Sequence, residues 1–156
     1  MLKARAFTII VLLLAGALVA GRAGAESTGR IVNGHVEDMV TTDNCGSPVG
    51  LCTVGRVNGG IQGQLSFTVI GLSPTSRQGI LFFTAESTIR TLDGDIYCAD
   101  SGSFNSVPGS EGEGVHLCEI TGGTGEYAGV AGYLQEMLHF QGLVGTGDYR
   151  GRIVFP

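Results

Sequence analysis

The stretch from Ile120 to Tyr133 reads ITGGTGEYAGVAGY. Inside it, Gly123-x-Gly125-x-x-Ala128 matches the glycine pattern of a dinucleotide-binding loop. Such a loop needs a strand before it and a helix after it, because the helix N-terminus holds the pyrophosphate. Here the residues that follow alternate in the manner of a strand. Gly129 and Gly132 would each weaken a helix by roughly 1 kcal/mol relative to alanine. No Lys-Ser or Lys-Thr follows, so a P-loop is excluded as well. The run is a turn and a barrel corner. Gly122, Gly123 and Gly125 permit positive φ in a tight turn, and Gly129 and Gly132 let the next strand bend.

Strand signals dominate on either side. Gln64 to Val69 alternates polar and apolar residues, and Gly71 to Pro74 is read as its break. Ile80 to Leu92 is a longer strand with Leu81, Phe83, Ala85 and Ile89 on one face. Asp93-Gly94 then favours a type I′ hairpin turn, and Asp95 to Cys98 begins the returning strand. His116 to Ile120, Gly132 to Phe140 and Tyr149 to Phe155 are further strands, with Gln141 to Asp148 as a connection. Two more are expected near Leu51 to Val57 and within Ile31 to Val40. No helical stripe, linker or repeat interrupts the pattern. The chain is all-β, a single antiparallel barrel or sandwich, and glycines inside the strands favour the barrel.

The first residues read differently. Lys3 and Arg5 precede an apolar run from Phe7 to Ala20, and Ala23-Gly24-Ala25 offers a small-x-small cleavage site. Residues 1–25 are expected to be a cleaved signal peptide, and the apolar run is too short for a membrane span. Removing it takes away Lys3, Arg5 and Arg22. Six basic residues then face fourteen acidic ones, a net charge of −8. Such a chain repels phosphate backbones and anionic lipid, which disfavours nucleic acid, and neither nucleic acid nor a membrane is expected as a partner of the mature protein. A secreted or periplasmic location follows.

Four cysteines in an exported chain imply two disulfides, for which three pairings exist. Cys45 and Cys52 flank the compact stretch Gly46 to Gly50, and Cys98 and Cys118 lie in strand-like segments. Cys45–Cys52 and Cys98–Cys118 are the expected pairs. No pair has C-x-x-C spacing, so no zinc site is expected.

The run ITGGTGEYAGVAGY resembles the ITGG-x-G-x-(Phe/Tyr)-x-G-x-x-G segment of the allene oxide cyclase family. It also resembles the GGTG-x-(Phe/Tyr) segment of plant dirigent proteins. Gly147 to Ile153 suits the final strand of such barrels. The resemblance covers Ile120 to Val154, is diffuse over Gly50 to Asp100 and is absent before that. It implies an eight-stranded antiparallel barrel with an inner cavity for a small hydrophobic ligand, assembled as a trimer. The expected organisation is a signal peptide over 1–25, an N-terminal extension with a Cys-containing loop over 26–49, and the barrel over 50–156. Val130-Ala131-Gly132-Tyr133 lacks the arginine that dirigent proteins carry there, and no catalytic residue lies in the matched segment.

Three residues are candidates for chemistry. Glu136 shares a strand face with Leu134, Leu138 and Phe140. In an apolar cavity a carboxyl holds its proton more tightly, which suits a general acid or base. The outward alternative, with Glu136 at the rim of a subunit contact, is preferred because sequence does not fix the register. Tyr133 and Tyr149 can line a cavity and supply phenol groups, or simply pack. Glu136 and His139 have E-x-x-H spacing, but on a strand they face opposite ways, so they hold no metal. His35, His116 and His139 are read as solvated or hydrogen-bonded. Neither a cofactor nor a metal is expected. The leading function is binding of a small hydrophobic ligand. The alternatives are a cofactor-free isomerase, cyclase or dirigent-type enzyme, and a structural extracellular or envelope protein with a filled barrel.

Overall fold

Period-two alternation decides this fold, and eight strands carry it. The computed structural model describes residues 29–77, 79–105 and 110–156; the signal segment expected over 1–25 lies outside them. The strands are β1 (Gly29–Thr41), β2 (Cys52–Gly59), β3 (Gly63–Pro74), β4 (Leu81–Arg90), β5 (Asp95–Phe104), β6 (Ser110–Gly123), β7 (Ala131–Gly142) and β8 (Val144–Val154). Each pairs antiparallel with its neighbours in chain order, and β1 pairs with β8, which closes the barrel.

β1 corrects the expected boundary. Residues 29–49 are not an extension to the barrel. Gly29 to Met39 pairs with β8 along its whole length, and Gly34 to Thr41 pairs with β2. The alternation Val32, Val36, Asp38 and Val40 is the inward face of a barrel strand. Three further expectations change. Gly71 does not end β3; it marks a bulge after Val69, and the strand runs on to Pro74. Asp93-Gly94 is not a two-residue type I′ turn. Arg90 pairs with Asp95 across a four-residue loop in which Gly94 has φ of 141° and Asp93 has no positive φ. The expected connection over Gln141 to Asp148 shrinks to Leu143, since β7 reaches Gly142 and β8 starts at Val144.

The glycine run turns the chain from β6 to β7 through a short 3-10 turn, Gly125–Tyr127. Gly125 has φ of 58°, and a Cβ there would meet the Asp93 carbonyl oxygen. At Gly132, φ is 140° and a Cβ would strike the Arg152 carbonyl oxygen on the paired strand. Both positions need the absence of a side chain for left-handed geometry and for close backbone approach.

Inside, the barrel has two unlike ends. At one end Ile61, Ile89, Ile96, Leu134 and Ile153 are sealed from water among Val32, Val57, Ile120 and Tyr127. Each such side chain contributes about 1.5–3 kcal/mol of burial free energy. The buried Cys98–Cys118 disulfide lies in this core. At the other end Phe67, Phe83 and Phe104 gather around Val69. The Cys45–Cys52 disulfide staples the β1–β2 loop beside that end. The Ser47 hydroxyl donates to the Val69 carbonyl and accepts from the Leu51 N–H.

Candidate functional site

Alternation along five strands delivers the site. β1 turns Asp38 inward, β5 Asp100, β6 His116 and β7 Glu136, and β2 adds Thr53. Cross-strand register brings them level. His116 lies opposite Glu136 on one side and Gly102 on the other. A Cβ at Gly102 would strike the Val115 carbonyl oxygen, the His116 Cβ and the Phe83 ring, so glycine there leaves the imidazole room to lie across the barrel.

His116 is the hub. Its Nε2 stands 3.4 Å from Glu136 Oε2 and 3.5 Å from Asp100 Oδ1. Its side chain is 7% exposed, Glu136 4% and Asp100 fully enclosed. The ring lies beneath Phe67 and Phe83, with centroids 5.6 and 6.0 Å away. Asp38 accepts a 2.6 Å hydrogen bond from the Thr53 hydroxyl. The Ser87 hydroxyl stands beside Asp100 and favours its ionised form. Among the described residues, no hydrogen bond of ordinary geometry reaches either Asp100 oxygen or Glu136 Oε2.

Burial controls the protonation of this layer. It pushes Asp100 up to about 6, against the pull of His116 and Ser87. It also raises Asp38, although Thr53, His116 and the Gly145 backbone oppose the shift. Burial alone would lower the His116 pKa. Glu136 outweighs it, with help from Asp100 and Asp38, and the imidazole ends above its usual 6.5. Asp38, Asp100 and His116 therefore hold their protons more tightly than the free groups do.

Above the layer lies a cavity of about 70 Å³. Phe67, Phe83, Phe104, Leu138 and Phe140 form its walls, and Asp38, His116 and Glu136 its floor. That volume suits a phenyl ring or a short alkyl segment. It is too small for a long acyl chain with the walls as they stand.

The sequence candidates separate here. Glu136 faces inward, not outward to a rim as the register argument preferred; Leu134 and Leu138 bury on either side of it. Tyr133 is on the outer face and 46% exposed, remote from the interior chemistry. Tyr149 faces inward opposite Glu136, but its hydroxyl is engaged with both backbone groups of Ile61. His139 lies outside beside Glu113, at 3.0 Å. His35 is likewise exposed beside Asp148.

The sequence marks His116 only as a solvated or hydrogen-bonded histidine and does not single out Asp38 or Asp100. The cysteines held the signal. Once Cys98 and Cys118 are bridged inside the barrel, period two places Asp100 and His116, each two residues away, on the same inner face. Cys98, Asp100 and Cys118 have ligand atoms close enough to share a cation. Both sulfurs are spent in the disulfide, so the trio does not fit a metal as it stands.

No family model, no curated protein and no solved structure matches this chain.

Proposed function

We propose that this disulfide-stabilised barrel binds a small hydrophobic ligand in the phenylalanine-walled end of its interior. One observation carries the reading: an apolar cavity ends on a polar floor in which the buried Glu136 Oε2 has no hydrogen bond of ordinary geometry among the described residues, and the enclosed Asp100 beside His116 shares that lack. A purely structural barrel gains nothing from leaving carboxylate oxygens unsatisfied, since each such group costs about 1–3 kcal/mol or more. Ligand pockets combine these features, apolar walls with a few convergent polar groups. Export through a cleaved signal peptide belongs to the same proposal. The two disulfides suit an oxidising compartment. Among the described residues no helix is long and apolar enough to cross a membrane.

Membership of the allene oxide cyclase and dirigent type of barrel, and assembly as a trimer, stay proposals that rest on the ITGGTGEYAGVAGY run. Support for self-association comes from the outer face, where Phe82, Val115, Leu117 and Met137 are 41–70% exposed on β4, β6 and β7. Light scattering tests it, and a monomer mass at micromolar concentration would count against it.

Native mass spectrometry of the gently purified protein tests the binding reading. Co-purified small molecules, released on denaturation, are expected. Protein that is empty and binds no apolar probe would leave a structural role. A second reading is favoured by the placement of His116 Nε2 between Glu136 and Asp100. A bound substrate with an acidic C–H would face a base and an acid at once, as a cofactor-free isomerase or cyclase requires. Solvent deuterium appearing at a carbon of the ligand would separate catalysis from binding.

A further inference from the structure

Hydrogen-bond capacity at the cavity floor and in the layer beside it is out of balance. Asp38, Asp100 and Glu136 bring three carboxyl groups, and each offers two acceptor oxygens when ionised. Donors are few. The Thr53 hydroxyl is committed to Asp38, which the Gly145 backbone also serves, and the Ser87 hydroxyl stands beside Asp100. The His116 Nε2–H is shared at long range between Glu136 and Asp100. Both Asp100 oxygens and Glu136 Oε2 remain enclosed without a hydrogen bond of ordinary geometry. No Lys or Arg among the described residues lines the cavity. Even with His116 protonated, one cation faces three carboxyl groups.

From this shortage of donors we propose that the ligand is an amine: a small apolar body against the phenylalanine walls, with its ammonium group directed at the Asp38–His116–Glu136 floor. The inference rests on the binding reading above and gives it a chemical class. An ammonium brings three donors and one positive charge, which are the two quantities the floor lacks. Desolvating that charge is offset only where a buried counter-charge is ready, and Glu136 and Asp38 supply it. Phe67 and Phe83 pack edge to face, with centroids 5.7 Å apart, and wall the cavity beside the imidazole. An alcohol of the same shape would supply one donor and no charge. A carboxylate would add a fourth carboxyl group to an enclosed acidic layer. The cavity volume limits the body to about the size of a phenyl ring or a short alkyl chain.

Calorimetric titration of the mature, disulfide-intact protein at pH 7.5 tests this with three probes of one skeleton: 2-phenylethylamine, 2-phenylethanol and 3-phenylpropionate. The amine is expected to bind roughly tenfold tighter than the alcohol, and the carboxylate to give no saturable heat. Glu136→Gln should remove most of the amine's advantage over the alcohol. The wild-type series decides the matter even if that variant folds poorly. Equal or tighter binding of the alcohol or the carboxylate overturns the amine inference and leaves the binding reading intact. If none of the three saturates, both fall. Val40→Phe, which fills the cavity from its wall, should weaken the amine; unchanged affinity would place binding elsewhere and overturn the proposal.

Discussion

Tyr149 holds Ile61 by both of its backbone groups. The phenol oxygen accepts the Ile61 N–H at 2.8 Å and donates to the Ile61 carbonyl at 3.1 Å. The contact joins β8 to the β2–β3 turn and seals the closed end of the barrel. Tyr149→Phe keeps the ring and leaves two buried backbone groups unpaired. A loss of about 1–3 kcal/mol is expected, measured as a lower urea midpoint with an unchanged slope. A variant as stable as the parent would show that water replaces the hydroxyl.

The buried carboxyls give stability a definite pH dependence. Asp100 titrates near 6 in the fold, above its ordinary 3.8. A raised carboxyl binds its proton more tightly folded than unfolded. Its contribution is full below about pH 4 and is lost as pH rises through 6. The shift corresponds to an amount on the order of 3 kcal/mol. Asp38 acts in the same direction, and so does His116, whose raised pKa moves the loss above 6.5. Urea midpoints of the parent and of Asp100→Asn, compared from pH 4 to 6, should diverge, with the variant gaining relative to the parent as pH rises. Parallel curves would contradict the assignment.

Both disulfides should be present in isolated protein. Thiol titration of denatured, unreduced chain should find none among the described cysteines, and four after reduction. Replacing Cys98 and Cys118 together by alanine opens a loop of 20 residues' separation and should cost about 3 kcal/mol. The Cys45–Cys52 pair, separated by 7, should cost less, about 2 kcal/mol.

Gly125→Val tests the glycine run. A β-branched residue at φ of 58° is strained, and its Cβ would collide with the Asp93 carbonyl. A loss of at least about 2 kcal/mol is expected. Adding NAD, ATP or phosphate should leave the melting temperature of the parent unchanged. A saturable shift with a dinucleotide would reopen the phosphate-cradle reading.

Strand existence was legible because alternation is a local property; β4 and β7 could be read almost to their ends. Direction was not. On β7, Leu134, Glu136, Leu138 and Phe140 compete with Tyr133, Gln135, Met137 and His139, and both sets are large and partly apolar. Only pairing with β6 decides, where Cys118 lies opposite Leu134 and His116 opposite Glu136. β1 was misplaced for a related reason. Its partner β8 is more than a hundred residues away, and no local feature of Gly29 to Thr41 announces a long-range pairing. The acidic floor was hidden because its members come from β1, β5, β6 and β7, each with one polar residue in an apolar face.

The pairing of Gly29 with Val154 also sets an orientation. Both chain ends of the barrel emerge beside Val32 and Ile153, at the sealed end, while the cavity opens at the opposite pole near Val40 and Phe140. Anything fused at residue 29 or after 154, whether a tether, a tag or a bead, therefore holds the molecule with its mouth facing away from the support. A circular permutant that joins those two ends and opens the chain at Leu143 would reverse the presentation and set the attachment at the rim.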